Sequence, residues 1–511
     1  MIAAIPGGKG VTLQDSLRSS WGLGVSSWIS HMTQNIDPRT AWEPYRPSDA
    51  APWDLRKVGH LYRRAAFGAS SDELQAALRD GPERTITALL QGRADATGDE
   101  VWATMSRSLA DSNAGDNLSA LWLYRMLHSQ HPLREKLTLF WHNHFATSNA
   151  KVRNAGFMLG QYELMRRHAQ GSFRTLLTEM SHDPAMMVWL DTVQSQRRQP
   201  NENYARELME LFSLGVTNAR RAGQRNYTED DVRQAARAFT GLRLENGRAV
   251  FRAADHDDGE KSVLGQNGRF GADDIVRICL EQESAPYFIL RKLVRFLVSD
   301  TLELSPELLE PLATEFRREW NFGALVERVL RSNLFSSASA YRAKIKSPID
   351  YVLGIVRALE GQRASDAGQS GIGTVELART LEGLGQRLFF PPSAAGWDGG
   401  RAWLNGQTFL LRQNLALALT STTDSRFGRR LDPAALLRRH GANDAQRRLG
   451  LLLDLFLQGD APAAARERLT QYASGAAPRN LPVYWTPDDV ANHGTRTLCH
   501  LVLCLPEFQL M

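Results

Sequence analysis

Cysteine and lysine are scarce in this 511-residue chain, and long apolar runs are missing. The three cysteines, Cys279, Cys499 and Cys504, form no CxxC pair. That argues against a structural zinc knot or a disulfide framework. No uninterrupted apolar stretch reaches the roughly 18–20 residues needed to span a bilayer, so no membrane span is expected. The N-terminus, MIAAIPGGKGVTLQDS, has no basic leader followed by an apolar run and a small-residue cleavage site. A cytoplasmic location is the expectation from the sequence as it stands. GxSxG, HExxH and GxGxxG do not occur in suitable contexts, so no serine elbow, zincin helix or dinucleotide fingerprint is marked.

Lysine supplies only 8 of the 61 basic residues, against 56 acidic ones, for a net charge of +5. The arginines fall in scattered doublets: Arg63-Arg64, Arg166-Arg167, Arg197-Arg198, Arg220-Arg221 and Arg429-Arg430. A nucleic-acid binder clusters its basic residues on one face. These doublets read as solvated surface or carboxylate partners, and no nucleic-acid partner is expected. At 43% hydrophobic and 23% charged, the chain is an ordinary globular protein, long enough for two to four domains.

The pattern is mainly α: a large multi-helix globular protein with one short β-hairpin near 242–251 and an irregular N-terminal arm. Residues 1–54 form the arm, in which Trp21, Trp28, Trp42 and Trp53 suit an extended path over the domain surface. Residues 55–360 form a helical core domain carrying the polar motifs. Gly361 to Gly373 is the linker, and 374–511 form a helical C-terminal region packed on the core. Ser71 before Asp72-Glu73 predicts a capped helix start, and Thr228 with Asp231 predicts a capping box. Pro132 opens a helix whose Leu133, Leu137, Phe140, Trp141 and His144 share one apolar stripe. Helices are also expected over Asn203–Leu214 and from about Ala402 to Leu419. Asn246-Gly247 is the favoured turn between strands near 242–244 and 248–251.

Four runs can carry chemistry. In Trp141-His142-Asn143-His144-Phe145, residues two apart on a helix point about 200° apart, so His142 and His144 share a metal only if the helix ends between them. They are either one core and one surface histidine, or a ligand or acid–base group at a helix terminus. In Pro200 to Leu211, Asn203, Glu207 and Glu210 line one side. Two carboxylates at that spacing can share a metal or hold one proton between them. The plainer reading is an ion-pair ladder through Glu202, Arg206 and Glu210. Asp255 to Lys261 gathers four carboxylates, His256 and Lys261. It fails the EF-hand template at Ala254. It can supply His256 and Asp257 to a metal site, or it is a solvated acidic turn. Pro391 to Gly400 is either a loop that covers a pocket with Trp397 or a rigid turn with Trp397 in the core.

Seven runs occur in order: HLYRRAAFGAS (60–70), REKLTLFWHNHFATS (134–148), HDPAMMVWLD (182–191), PNENYARELMELFSLGV (200–216), YTEDDVRQAARAFTGL (227–242), HDDGEKSVLG (256–265) and PPSAAGWDGGRAWLN (391–405). Together they resemble the bacterial family catalogued as domain of unknown function 1800, from about Asp54 to the PEFQ run at 506–509. The resemblance implies a mainly helical fold and no established reaction. It also implies company with a second family of sulfatase- or phosphatase-like appearance, domain of unknown function 1501, and many exported relatives. Its motif positions fall on His142, His144, Asn201, Asn203, Arg206, Glu207, Glu210, Thr228-Glu229, His256-Asp257, Gly259 and Lys261. Asp398 stands where the family's GWPGG loop has proline.

The expectation is therefore an enzyme with one polar cleft, a metal-dependent hydrolase or oxidoreductase. Glu207, Glu210, Lys261 and Arg206 would be catalytic. His142, His144, His256 and Asp257 would hold a divalent zinc, manganese or iron ion. Asn201, Asn203 and Trp397 would contact substrate. The alternative is a non-catalytic scaffold or partner of a companion protein of the 1501 family.

Overall fold

The computed structural model describes residues 36–221, 223–361, 372–421, 424, 426–427, 431–474 and 487–511. Trp21, Trp28 and most of the Gly361–Gly373 linker lie outside them. Helices dominate, because capping signals recur ahead of apolar periodic runs. Ser70, Ser172, Asp183, Thr228, Ser305 and Ser347 each accept a hydrogen bond from the backbone N–H three residues on. The expected cap at Ser71 is displaced by one residue. Ser70 is the cap because Glu73, three residues on, returns its carboxylate to the Ser70 N–H at 2.8 Å. Pro132 and the Thr228–Asp231 box stand as the sequence predicts.

The hairpin pairs Leu242–Glu245 with Arg248–Phe251, and Asn246 and Gly247 take φ of 50° and 76°. A second hairpin, Lys261–Val263 with Gln266–Gly268, was not expected. Its strands are three residues each, too short for a two-residue alternation to register. The helix expected over Asn203–Leu214 changes character midway: Asn203–Glu207 is α-helical and Leu208–Ser213 is a π-helix. The helix expected near Ala402 starts at Gly406, where Asn405 caps it, and Gly400–Trp403 is a 3-10 turn.

Two apolar cores hold these elements. One runs from Ala41 to Ala340 and includes Leu133, Leu137, Phe140 and Trp141 of the Pro132–His144 helix. The other joins helices between Val58 and Tyr162 to those between Ile349 and Phe508. Each large apolar side chain buried in them contributes roughly 1.5–3 kcal/mol. The described part of the arm does not simply drape over the surface. Trp42 is 2% exposed and donates its indole N–H to the Leu308 carbonyl at 2.6 Å. Among the described residues no helix is long and apolar enough to cross a membrane.

Candidate functional site: a carboxylate pair on a π turn

The Asn203–Glu207 helix and its π continuation set the positions of Arg206, Glu207 and Glu210. Tyr204, Leu208, Met209 and Phe212 are buried, which leaves Glu207 and Glu210 partly exposed on the outer side. Glu210 accepts a hydrogen bond from the Tyr227 hydroxyl at 2.8 Å. Among the described residues Glu207 has no hydrogen-bond or ion-pair partner. Burial first, and then the charge of Glu210, raise its pKa above the ordinary carboxylate value. Arg206 bridges Glu202 at 3.0 Å and Glu229 at 2.8 Å, tying the turn to the start of the Glu229–Ala238 helix. Tyr227 and Glu229, with Arg225, Thr228, Asp231 and Leu264, line an open cavity of about 430 Å³. Asn203 donates to Asp191 at 3.2 Å, and Lys151 holds the same carboxylate at 2.8 Å. Asn201 acts inside the preceding loop: its N–H meets Ser195 Oγ, and its side chain accepts from the Asn203 N–H.

The Asp255–Lys261 loop sits at the other end of the Glu229–Ala238 helix. Asp257 takes two hydrogen bonds from Arg237, at 2.7 and 3.1 Å, which hold its carboxyl down at about 2. His256 donates from Nδ1 to the Thr240 carbonyl at 2.8 Å. Lys261 is 2% exposed and donates to the backbone carbonyls of Asp257 and Gly259, at 2.6 and 3.0 Å, rather than to the loop's carboxylates. The acidic side chains turn outward to arginines: Asp255 to Arg243 and Asp258 to Arg197.

His142 and His144 point to different partners, as the angle between them requires. Both are buried. His142 accepts from the Phe389 N–H at 3.0 Å and lies among Trp122, Phe389 and Trp397, and burial pulls its pKa down to about 3. His144 sits between the Phe212 carbonyl and Lys292, each 3.1 Å away. Trp397 is buried against His142, and its loop is pinned by Asn143, whose Oδ1 accepts from the Trp397 N–H at 2.8 Å. Gly396 has φ of 80°, and a Cβ there would lie 2.6 Å from the Asn143 backbone oxygen.

The structure thus links Arg206 and Glu210 to two cavity-lining residues, Glu229 and Tyr227, with Glu207 three residues before Glu210. It sets His256, Asp257 and Lys261 one helix length away and seals His142, His144 and Trp397 inside. The one trio of His, Cys, Asp or Glu side chains whose ligand atoms lie within 4.8 Å of one another, among the described residues, is Asp72, Glu360 and His440. Sequence reasoning passed over Tyr227, Asn143 and Lys292. Tyr227 and Asn143 stand inside the family-like runs and had a local signal, whereas Lys292, in the Ser284–Leu297 helix that the sequence predicts over 285–298, had none.

Neither the curated proteins nor the solved structures provide a match to this chain. One family model does match, over residues 60–510, and its span takes in the π turn, the acidic loop and the buried histidines alike. The chain belongs to the family described as "Protein of unknown function (DUF1800)".

Proposed function

We propose that this protein is an enzyme that uses the Glu207–Glu210 pair for general acid–base chemistry on a polar substrate bound in the cavity beside Tyr227. The observation that carries the reading is the contrast between two carboxylates three residues apart. Glu210 is held by Tyr227 as an acceptor, while Glu207 is half-buried, unpartnered among the described residues and biased toward its protonated form. Environments that push two carboxyl groups apart assign one to the acid and the other to the base or charge stabiliser. Glu207 is the proton donor in this reading, and Glu210, oriented by Tyr227, is its partner. The π turn supports it, since such turns are frequent at functional sites. Arg206, fixed by two carboxylates, keeps the turn in place.

A divalent metal remains part of the proposal. His142, His144 and Asp257 have ring nitrogens or carboxylate oxygens already engaged by Phe389, Phe212, Lys292 and Arg237. An ion shared by His142, His144, His256 and Asp257 would have to displace those contacts. The Asp72–Glu360–His440 trio is the arrangement with ligand spacing.

The test is a panel of chromogenic esters, glycosides and phosphate esters, run with and without added zinc, manganese or iron. Glu207→Gln should remove any turnover found while leaving the thermal midpoint in place. Turnover that survives both Glu207→Gln and Glu210→Gln would overturn the assignment.

A second reading is a docking face for a companion protein of the 1501 family. It is favoured by the exposed ion pairs Arg197–Asp258 and Arg206–Glu229, which place charge near the two ends of the Glu229–Ala238 helix. Retention of that companion by the wild type and its loss in Arg197→Ala/Asp258→Ala would support docking.

A further inference from the structure

The most unusual electrostatics in the molecule lie away from the carboxylate pair, where the Leu55–Ala65 helix meets residues 344–350 and the Pro506–Gln509 turn. Six cations converge there: Arg63, Arg64, Lys136, Lys344, Lys346 and Arg412. Asp350 neutralises Lys136, and Asp300 neutralises Lys344. Arg63, Lys346 and Arg412 have no carboxylate within ion-pair distance among the described residues. Arg64 reaches the Ala340 carbonyl and a carboxyl oxygen of Met511, and Arg412 reaches the carbonyls of Lys346 and Trp403.

Arg64 Nε and Nη1 and Arg412 Nε are also buried without a partner, but it is Lys346 and Arg63 that line a cavity. Lys346 is 3% exposed, and its ammonium has no hydrogen-bond acceptor in the described structure. It lies 3.3 Å over the Phe508 ring. Arg63 donates one nitrogen to Gln458, and its Nε and Nη2 are buried without a partner. Burying a cation without an acceptor is costly, and such groups are normally paired. Both residues line one small cavity, together with Gly59, Asp350, Phe508 and Met511. Its free space is about 30 Å³. That is comparable to the share of one water in the liquid. Tyr62 and Arg63 are partly exposed, which provides a way in.

We infer that this cavity is a binding site for a small inorganic anion, held between the Lys346 ammonium and the free Nε and Nη2 of Arg63. Its size selects an ion of one or a few atoms, a halide before a larger oxyanion. The occupant supplies an acceptor to Lys346 and Arg63 at the seam where the beginning and end of the family-matched region come together. It is a structural ligand, remote from the Glu207–Glu210 turn and independent of the function proposed there.

The experiment starts with protein exchanged into buffer free of halide and phosphate, then titrated with sodium bromide, sodium chloride or sodium phosphate at constant ionic strength. The wild type should gain about 3 °C or more in thermal midpoint, saturably, as expected for a ligand bound to the native state alone. Lys346→Met should lose the response, and without anion it should be at least as stable as the wild type. Arg63→Gln, which keeps donors and removes the charge, should weaken the response and serves as the readout if Lys346→Met fails to fold. Crystals grown in bromide should show an anomalous peak between Lys346 and Arg63. A saturable response to phosphate alone would support the same site with an oxyanion occupant. Equal responses in the wild type and both variants, or bromide crystals without that peak, would overturn the site.

Discussion

Lys292 Nζ lies 3.1 Å from Nδ1 of His144, and the opposite ring nitrogen of His144 lies 3.1 Å from the Phe212 carbonyl. The lysine also donates to the Leu211 carbonyl at 2.9 Å. Nδ1 is therefore the acceptor, and the ring proton sits on Nε2. The neutral imidazole joins the end of the Pro132–His144 helix to the end of the π turn. Burial holds both groups below their ordinary pKa values, Lys292 down to about 7.

Lys292→Met leaves His144 Nδ1 and the Leu211 carbonyl buried without a donor. The expected loss is about 1–3 kcal/mol at high pH, where the amine is neutral and no charge cost is relieved. Between pH 7 and the ordinary lysine value the unfolded chain binds the extra proton, so wild-type stability rises with pH through that window. Denaturant midpoints across pH 7–10 should show that slope in the wild type and a flatter one in the variant.

His142 gives the acid counterpart. Its folded pKa, about 3, lies below the ordinary imidazole value of about 6.5. Between these values the unfolded state holds the extra proton, so stability falls as pH drops from 6.5 toward 3. At full effect the contribution is roughly 4–5 kcal/mol. His142→Gln keeps an acceptor for the Phe389 N–H and cannot titrate there. Its stability should decline less over the same window, and identical acid profiles would contradict the buried neutral ring.

Lys261→Met removes the ammonium that closes the Asp257 and Gly259 carbonyls into one loop. Because Lys261 is nearly fully buried, a loss of about 2–4 kcal/mol is expected, well above that of an exposed substitution. Asp255, Asp257 and Asp258 have arginine partners of their own, so a chelator should not change the result. A denaturant series with and without chelator decides between this closure and a metal-linked loop.

Gly396→Ala forces a side chain into a left-handed backbone position against Asn143, and Asn143→Ala removes the loop's anchor. Each should cost about 1–3 kcal/mol. Since both act on the same contact, the double variant should fall short of the sum. Additive losses would show that the loop is held elsewhere.

The elements legible in the sequence were those with a local cause. Thr228 and Asp231 cap each other whatever surrounds them, Pro132 starts a helix by its own geometry, and Asn246-Gly247 turns by its own dihedral preference. The apolar stripe from Leu133 to His144 was equally plain. What stayed hidden depends on contacts between distant residues. The sequence places Glu207 and Glu210 on one side of a helix but carries no sign that Tyr227 holds one and not the other. It marks Lys261 as surrounded by carboxylates, whereas the folded loop turns those carboxylates outward and offers the lysine carbonyls instead. His142 and His144 stand two residues apart in the chain, and a helix sends such residues to different sides.

The π turn at Leu208–Ser213 means that this helix contains one residue more than an α-helix would place in the same length. Its carbonyls reach further along the chain: Met209 O accepts from the N–H groups of both Leu214 and Gly215, and Leu208 O takes the Ser213 hydroxyl. A single-residue deletion within the turn would let it relax to regular winding. The flanking segments would keep their phase, but the turn would lose one position, and either Glu210 or Phe212 would come off its present partner. The extra residue therefore acts as an inserted position, letting one continuous helix serve the Tyr227 edge and the His144 interior at once.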